Sequence, residues 1–556
     1  MDRRTWIQLI GVLSAARPGY SQQRGGAADP PLRLTRDQVK AGLTLLGLEF
    51  EEPELDLMLR RVNSSLSSYE TLRKVEVSSA TEPSFAFHPG LPDRIPVKGP
   101  QRFETTIPKS GALKAPTDLE EVAFWPVTEL APLIHSRAVS SADLTRMYIA
   151  RMKRYSPNLL CLVTLTESLA LDQAAEADKE IRAGHYKGPL HGIPYGLKDL
   201  FDTKGILTTW GAEPFQQRVP VSDATVVERL RNAGAVLIAK LSMGALAQGD
   251  LWFRGRTKNP WNLEQGSSGS SAGSASATSA GLVAFSIGTE TLGSIVSPCT
   301  QCGVTGLRPT YGRISRAGAM ALSWTMDKIG PICRGVEDCA IVLNALYGPD
   351  GRDRTVASDP FHFEPRKPLR SLKVGVLQSA FDRTNGDLKK LYDQALQDLT
   401  RAGVSMTPVN YQEDLTSVRF LLEAEAAAAF DDITRDGRVR TLRGQGAGDW
   451  PNSFRGSRLI PAVEYIRAQR IRTILIERFE KFMSAWDVIV MPSSALLTTT
   501  NLTGNPQVVL KCGFINGTPR SIGFLGRIYD EGSPLRVALA YEQATTWHKQ
   551  NPDLKA

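Results

Sequence analysis

Between Gly266 and Ser294 the chain reads GSSGSSAGSASATSAGLVAFSIGTETLGS. Side chains this small allow two outcomes. They can leave a segment as a flexible polar linker, or let a helix pack so close to its neighbours that nothing larger fits. The flanks, NPWNLEQ before and the apolar GLVAFSIG after, are unlike spacer, and from Gly273 the Ala and Ser residues can continue as a tightly packed helix. The pattern alone leaves both readings standing.

A chain of 556 residues can bury a large core, and 42% apolar with 22% charged residues is ordinary for a globular protein. The net charge of +8 is mild for this length, and Lys and Arg are scattered without a run of five, so no nucleic-acid partner is expected. Six cysteines (Cys161, Cys299, Cys302, Cys333, Cys339, Cys512) are too sparse for a disulfide scaffold. Cys299 and Cys302 form a CxxC, but no second CxxC or His pair accompanies it. The expectation is two thiols packed behind the Ser294 segment, with no metal and no cofactor.

No stretch reaches the roughly 20 apolar residues of a membrane span. The N-terminus, MDRRTWIQLIGVLSAARPGYSQQ, pairs Arg3 with Arg4 ahead of a short apolar stretch and small residues ending at Ala16. It resembles a twin-arginine export signal, which implies a periplasmic or secreted protein with a mature end near Arg17. Without that signal the expectation is cytoplasmic. Three N-x-S/T triplets (Asn63, Asn501, Asn516) carry little weight.

Three regions follow. Residues 1–28 read as the export signal and linker. Residues 29–115 read as a helical appendage, with Leu43, Leu46, Leu55, Leu59, Val62 and Leu66 in helical pattern, followed by a Pro/Ser/Gly-rich extended segment. Residues 116–556 read as the main domain. There Ser140 and Asp143 have capping-box spacing, Val226–Ala233 reads as a helix ending at Gly234, and a strand begins at Ala235. Lys373–Leu377, Val404–Val409 and Val488–Met491 read as strands, and Asp387–Ala402 as an amphipathic helix. This alternation argues for a layered α/β domain.

The six histidines (His88, His135, His185, His191, His362, His548) form no pattern tied to a nucleophile, and a GxSxG elbow is not evident. A lysine can replace a histidine as base only when neutral, which burial achieves. Lys198, in PLHGIPYGLKDLFDT, is bordered by apolar residues as in a buried strand; Asp199 beside it is the group that could keep it charged.

Lys198, Ser270 and Ser294, with the two serines 24 positions apart, resemble the core motif of the amidase signature family of serine hydrolases. The resemblance runs from about Glu121 to His548 and includes SDATVVERLRNAGAVLIAKLSM, RTKNPWN and GVTGLRPTYGRISRAGAMALSWTMDKIGP. It implies a layered α/β/α fold with a mixed central sheet flanked by helices, and hydrolysis of carboxylic amides through an acyl-enzyme. It also implies a Ser-Ser-Lys relay: Lys198 draws a proton from Ser270, Ser270 draws one from Ser294, and Ser294 attacks the carbonyl. The peptide bond Gly269–Ser270 is expected to be cis. Backbone N–H groups of Thr291, Leu292, Gly293 and Ser294 would form the oxyanion hole. Gly269, Met243 and Trp324, with Thr325 and Met326, are candidates for substrate contact.

Two departures bear on substrate. The family has Gly-Gly before the nucleophile where this chain has Leu292-Gly293, and Asp where it has Glu290. After Met491–Ser494 only six residues precede Asn501, where many relatives carry a longer covering insertion. The first choice is cleavage of a small or medium carboxamide with esterase side activity, and a more open pocket, accepting bulky or aryl-substituted amides, is the further expectation. The alternatives are the glutaminase subunit of a tRNA-dependent amidotransferase, which works with partner subunits, and a non-catalytic binding protein on the same scaffold. The expected partner is a small-molecule amide; oligomeric state stays open, a homodimer among the options.

Overall fold

The structure, a computed structural model, describes residues 32–45, 47–75, 99–108, 114–412 and 414–554. The twin-arginine segment and most of the extended stretch 76–115 lie outside the described residues. The chain divides into two compact units: 88–320, 326–411 and 480–556 form the larger, and 1–87, 321–325 and 412–479 the smaller.

The larger unit is built on one eleven-stranded sheet. Its strands are β1 (Leu162–Leu165), β2 (Pro194–Lys198), β3 (Val236–Leu241), β4 (Phe285–Glu290), β5 (Thr305–Arg308), β6 (Lys328–Cys333), β7 (Val374–Leu377), β8 (Met406–Val409), β9 (Val488–Pro492), β10 (Gln507–Ile515) and β11 (Thr518–Gly526). Their order is β1-β3-β2-β4-β6-β5-β10-β11-β9-β7-β8. β3, β2 and β4 run parallel, as do β9, β7 and β8, and the remaining pairs are antiparallel, so the sheet is mixed. Every residue of β2 and β3 is buried, as expected for parallel strands covered on both faces.

The parallel trio positions the chemistry. Because β2 and β4 run the same way, the last residue of β2, Lys198, and the turn after Glu290 emerge at the same edge of the sheet. In open α/β sheets that edge is where ligands bind.

The small-residue run is ordered. Ala272–Ser279 is a helix with all eight residues buried. Its serine hydroxyls are spent on neighbouring backbone: Ser274 Oγ donates to Ile287 O (3.1 Å), Ser276 Oγ to Lys258 O (2.8 Å) and Ser279 Oγ to Cys302 O (2.7 Å). Side chains that short let the helix lie close on β4, and these hydroxyls need no water. Behind it Ala275, Ile295, Val296, Cys299, Cys302 and Leu497 share one apolar cluster. The two CxxC thiols are packed there, and burial raises both thiol pKa values, which leaves them as inert core groups.

In the smaller unit, helices Arg36–Leu45 and Glu52–Arg73 pack Leu34, Val39, Leu43, Leu55, Met58, Val62 and Leu66 around Leu459. Glu54 is ion-paired with Arg440 (2.9 Å) and Arg455. The N-terminal helices thus share a core with 412–479, a segment nearly four hundred residues later in the chain. No helix among the described residues is long and apolar enough to cross a membrane.

Candidate active site

Lys198 is fully buried, and its Nζ lies 2.9 Å from Ser270 Oγ, 3.1 Å from Ser271 Oγ and 2.8 Å from Thr289 Oγ1. Burial pushes its amine down to about 7, against the charges of Asp327 and Glu290, which favour the ammonium form. Asp199 does not hold the proton on Lys198. Its carboxylate accepts from Thr209 N (2.8 Å) and Thr209 Oγ1 (2.5 Å) and sits 3.4 Å from Lys240 Nζ, all fully buried.

The surroundings orient the amine. Ser271 Oγ donates its proton to Thr289 O (3.0 Å) and accepts from Thr289 N (3.1 Å). Toward Lys198 it can therefore only accept, which takes one N–H of a neutral amine. Thr289 Oγ1 takes the second. With both of those oxygens accepting, the lone pair is left for Ser270, the arrangement needed to receive its hydroxyl proton. The Gly269–Ser270 peptide is cis. A side chain at 269 would collide with Gly249 O, 1.8 Å from where a Cβ would stand.

Ser294 enters from β4. Its carbonyl accepts from Ser271 N (3.2 Å), which ties the turn carrying Ser294 to the serine after Ser270. Glu290, the last residue of β4, closes this turn on itself: Oε2 accepts from Ile295 N (2.8 Å) and Val296 N (2.9 Å). The N–H groups of Leu292, Gly293 and Ser294, inside the loop so closed, donate to no protein acceptor among the described residues. Such a strip of unspent donors beside a serine hydroxyl is what an oxyanion hole requires. Thr291 anchors its start by donating its hydroxyl to Asp327 Oδ1 (2.6 Å). Burial works to raise the Glu290 carboxyl, but the Arg308 guanidinium (2.9 Å) and its hydrogen bonds hold it down at about 2.

A family model for amidases matches residues 143–516. The chain belongs to the amidase family. Among curated proteins this amidase is 32% identical over 477 residues to a glutamyl-tRNA(Gln) amidotransferase subunit from Heliobacterium modesticaldum, covering 77% of this chain and 98% of that one. Among solved structures it resembles the peptide amidase of Stenotrophomonas maltophilia, with TM-score 0.69, 28% identity, and coverage of 78% and 99%. It also resembles the corresponding glutamyl-tRNA(Gln) amidotransferase subunit from Thermotoga maritima, with TM-score 0.65, 25% identity, and coverage of 80% and 100%. The layered fold with a mixed sheet is therefore the family's, and the enzyme is an amidase.

The other candidates fall in different places. Met243 has no exposed surface; it packs under Gly211, whose Cβ would stand 2.4 Å from Met243 O. It is a core residue, two positions past the end of β3. Met326 is likewise fully buried. Thr325 is engaged by Glu425 Oε1 (2.7 Å) and Arg472 (2.6 Å) within the smaller unit. Trp324 beside it is 50% exposed. The sequence reading missed Ser271, Thr289 and Asp327. Ser271 and Thr289 lay inside the quoted motif, but only the β2–β4 pairing brings Thr289 to Lys198. Among the described residues no group of three or more His, Cys, Asp or Glu could hold a metal ion.

Proposed function

We propose that this amidase hydrolyses bulky or aryl-substituted carboxamides, with Ser294 as nucleophile, Ser270 as proton bridge and Lys198 as base. The observation that carries the reading is the buried 2.9 Å approach of Lys198 Nζ to Ser270 Oγ, in a site where the amine loses its proton near neutrality. Neutral Lys198 takes the Ser270 proton as Ser270 takes that of Ser294, and Ser294 Oγ attacks the amide carbonyl. The negative oxygen of the tetrahedral intermediate lies against the N–H groups of Thr291, Leu292, Gly293 and Ser294. Ser270 then passes a proton to the leaving nitrogen, the C–N bond breaks, and water releases the acyl group by the same relay in reverse.

The preference for larger substrates is supported by the short link between Ser494 and Asn501. A panel of aryl and alkyl amides plus glutamine, assayed with wild type and Ser294→Ala, tests the reading. Aryl-amide turnover that disappears in the variant is the expected result. Activity that falls steadily as acyl and amine groups grow would remove the size preference.

A second reading, ammonia release from glutamine within an amidotransferase, is favoured by the likeness to the Heliobacterium amidotransferase protein. It predicts glutamine as the one substrate of the panel, with turnover raised by partner subunits. We further propose export by the twin-arginine segment; a mature N-terminus near Arg17 would support it, and an intact Met1 in the extracytoplasmic protein would refute it.

A further inference from the structure

We propose that Asn501, acting with Arg308, is a positioning residue for the oxyanion strip, braced from a helix more than two hundred residues away. This rests on the reading of Ser294 as nucleophile. Glu290 closes the strip with Oε2, and what its Oε1 touches decides where that clamp sits. Oε1 accepts from Arg308 Nη1 (2.9 Å) and from Asn501 Nδ2 (2.8 Å). Asn501 lies in the short helix Leu497–Thr503, and its Nδ2 also donates to Leu497 O (2.9 Å). Arg308 turns its other two donors, Nε and Nη2, on Asn505 O just beyond that helix (3.2 and 2.9 Å). One ion pair therefore holds both the middle and the far end of the segment 497–505. The near end reaches the strip directly, since a Cβ on Gly293 would stand 3.1 Å from Leu497 Cδ2.

Packing alone does not explain an asparagine here. Asn501 is fully buried, and its Oδ1 has no hydrogen-bond partner among the described residues. A buried unpaired carbonyl costs stability, and an apolar side chain would avoid it. The useful half of the amide is the donor on Glu290. If that donor is lost, the carboxylate keeps Arg308 alone on Oε1 and can swing, carrying the Ile295 and Val296 N–H groups and with them the strip between Glu290 and Ile295. A displacement of this kind weakens binding of a tetrahedral oxyanion more than binding of the planar amide.

The test uses the full chain, with Asn501→Asp, which keeps the size, and Asn501→Leu, which keeps an apolar branch and no donor. The readouts are kcat and KM on the best amide of the panel, the inhibition constant of phenylboronic acid, which adds to a serine as a tetrahedral anion, and Tm. Expected is a loss of about 10- to 100-fold in kcat, the scale of one impaired oxyanion contact, with KM within about threefold. Phenylboronic acid should weaken in proportion to kcat/KM. Variants that match wild type in kcat and boronate affinity overturn the proposal, as do variants that lose Tm and kcat together while the boronate constant stays put. Wild type without turnover sinks the Ser294 reading and this one with it; turnover in wild type and both variants alike sinks this one alone.

Discussion

Replacing Lys198 with methionine should kill the enzyme and change its stability in a manner set by pH. The amine is fully buried and its pKa is pushed from an ordinary 10.5 down to about 7. Each unit corresponds to about 1.4 kcal/mol, so folding disfavours the ammonium form by about 5 kcal/mol. Between pH 7 and 10.5 the unfolded chain holds a proton that the folded chain has lost, so stability rises with pH across that window. The penalty is full below pH 7 and gone above 10.5. Worked through the two pKa values, it is about 4 kcal/mol at pH 7 and about 1 kcal/mol at pH 9.5.

Methionine carries no such penalty. It leaves Ser271 and Thr289 without their partner, a cost of about 1–3 kcal/mol for each group that stays unpaired, but that cost does not titrate. The stability of Lys198→Met relative to wild type should therefore fall by about 3 kcal/mol between pH 7 and pH 9.5. Urea unfolding of both proteins at the two pH values measures this difference, and other titrating groups common to both cancel. A difference flat to within about 1 kcal/mol would mean an amine with an ordinary pKa, protonated at neutrality and unable to act as base.

In kinetics the same amine should give kcat/KM an acid limb with its midpoint near pH 7; Asp327→Asn keeps an acceptor for Thr291 but removes a charge that favours the ammonium form, so the midpoint should drop by about one unit, and an unmoved midpoint would exclude Asp327 as a partner in the titration. Ser294→Ala should lose about 10^3- to 10^6-fold in kcat and all mass-detected labelling by a fluorophosphonate, whereas Ser270→Ala should lose about 10^2- to 10^4-fold and still label slowly; labelling that survives at full rate in Ser294→Ala would move the nucleophile elsewhere. Lys240→Met should destabilise the fold by about 3–5 kcal/mol because Asp199 is left buried without its countercharge; adding Asp199→Asn should recover most of that in denaturant unfolding, and simple additivity of the two losses would show that the pair is not coupled.

What could be read from the chain was local. The order Lys198, Ser270, Ser294 is written in short motifs, and strands such as Val488–Pro492 announce themselves by composition. What could not be read depends on pairings between distant segments. Asp327 reaches Thr291 because β6 pairs antiparallel with β4, Lys328 opposite Glu290; nothing in TMDKIGP names that neighbour. Asp199 looked like a threat to a neutral lysine because sequence shows adjacency, whereas just past the end of β2 its carboxylate turns to Thr209 and Lys240. Asn501 reads as a glycosylation triplet until the fold shows it fully buried. The N-terminal helices read as an appendage because their partner, 412–479, lies at the other end of the chain.

A turn that presents consecutive N–H groups to one oxygen needs a left-handed residue somewhere, and here the demand falls at Gly293, with φ 90°. Leu292 keeps a negative φ that any residue adopts. Its amide is therefore as available as a glycine's, and the clamp by Glu290 acts on Ile295 and Val296, beyond the nucleophile, where residue 292 has no say. What leucine adds is a half-buried side chain two residues before Ser294. The backbone that makes the enzyme an amidase is thus separable from the side chains that choose the amide. A chain can exchange the first Gly of that pair without losing its donors, but not the second.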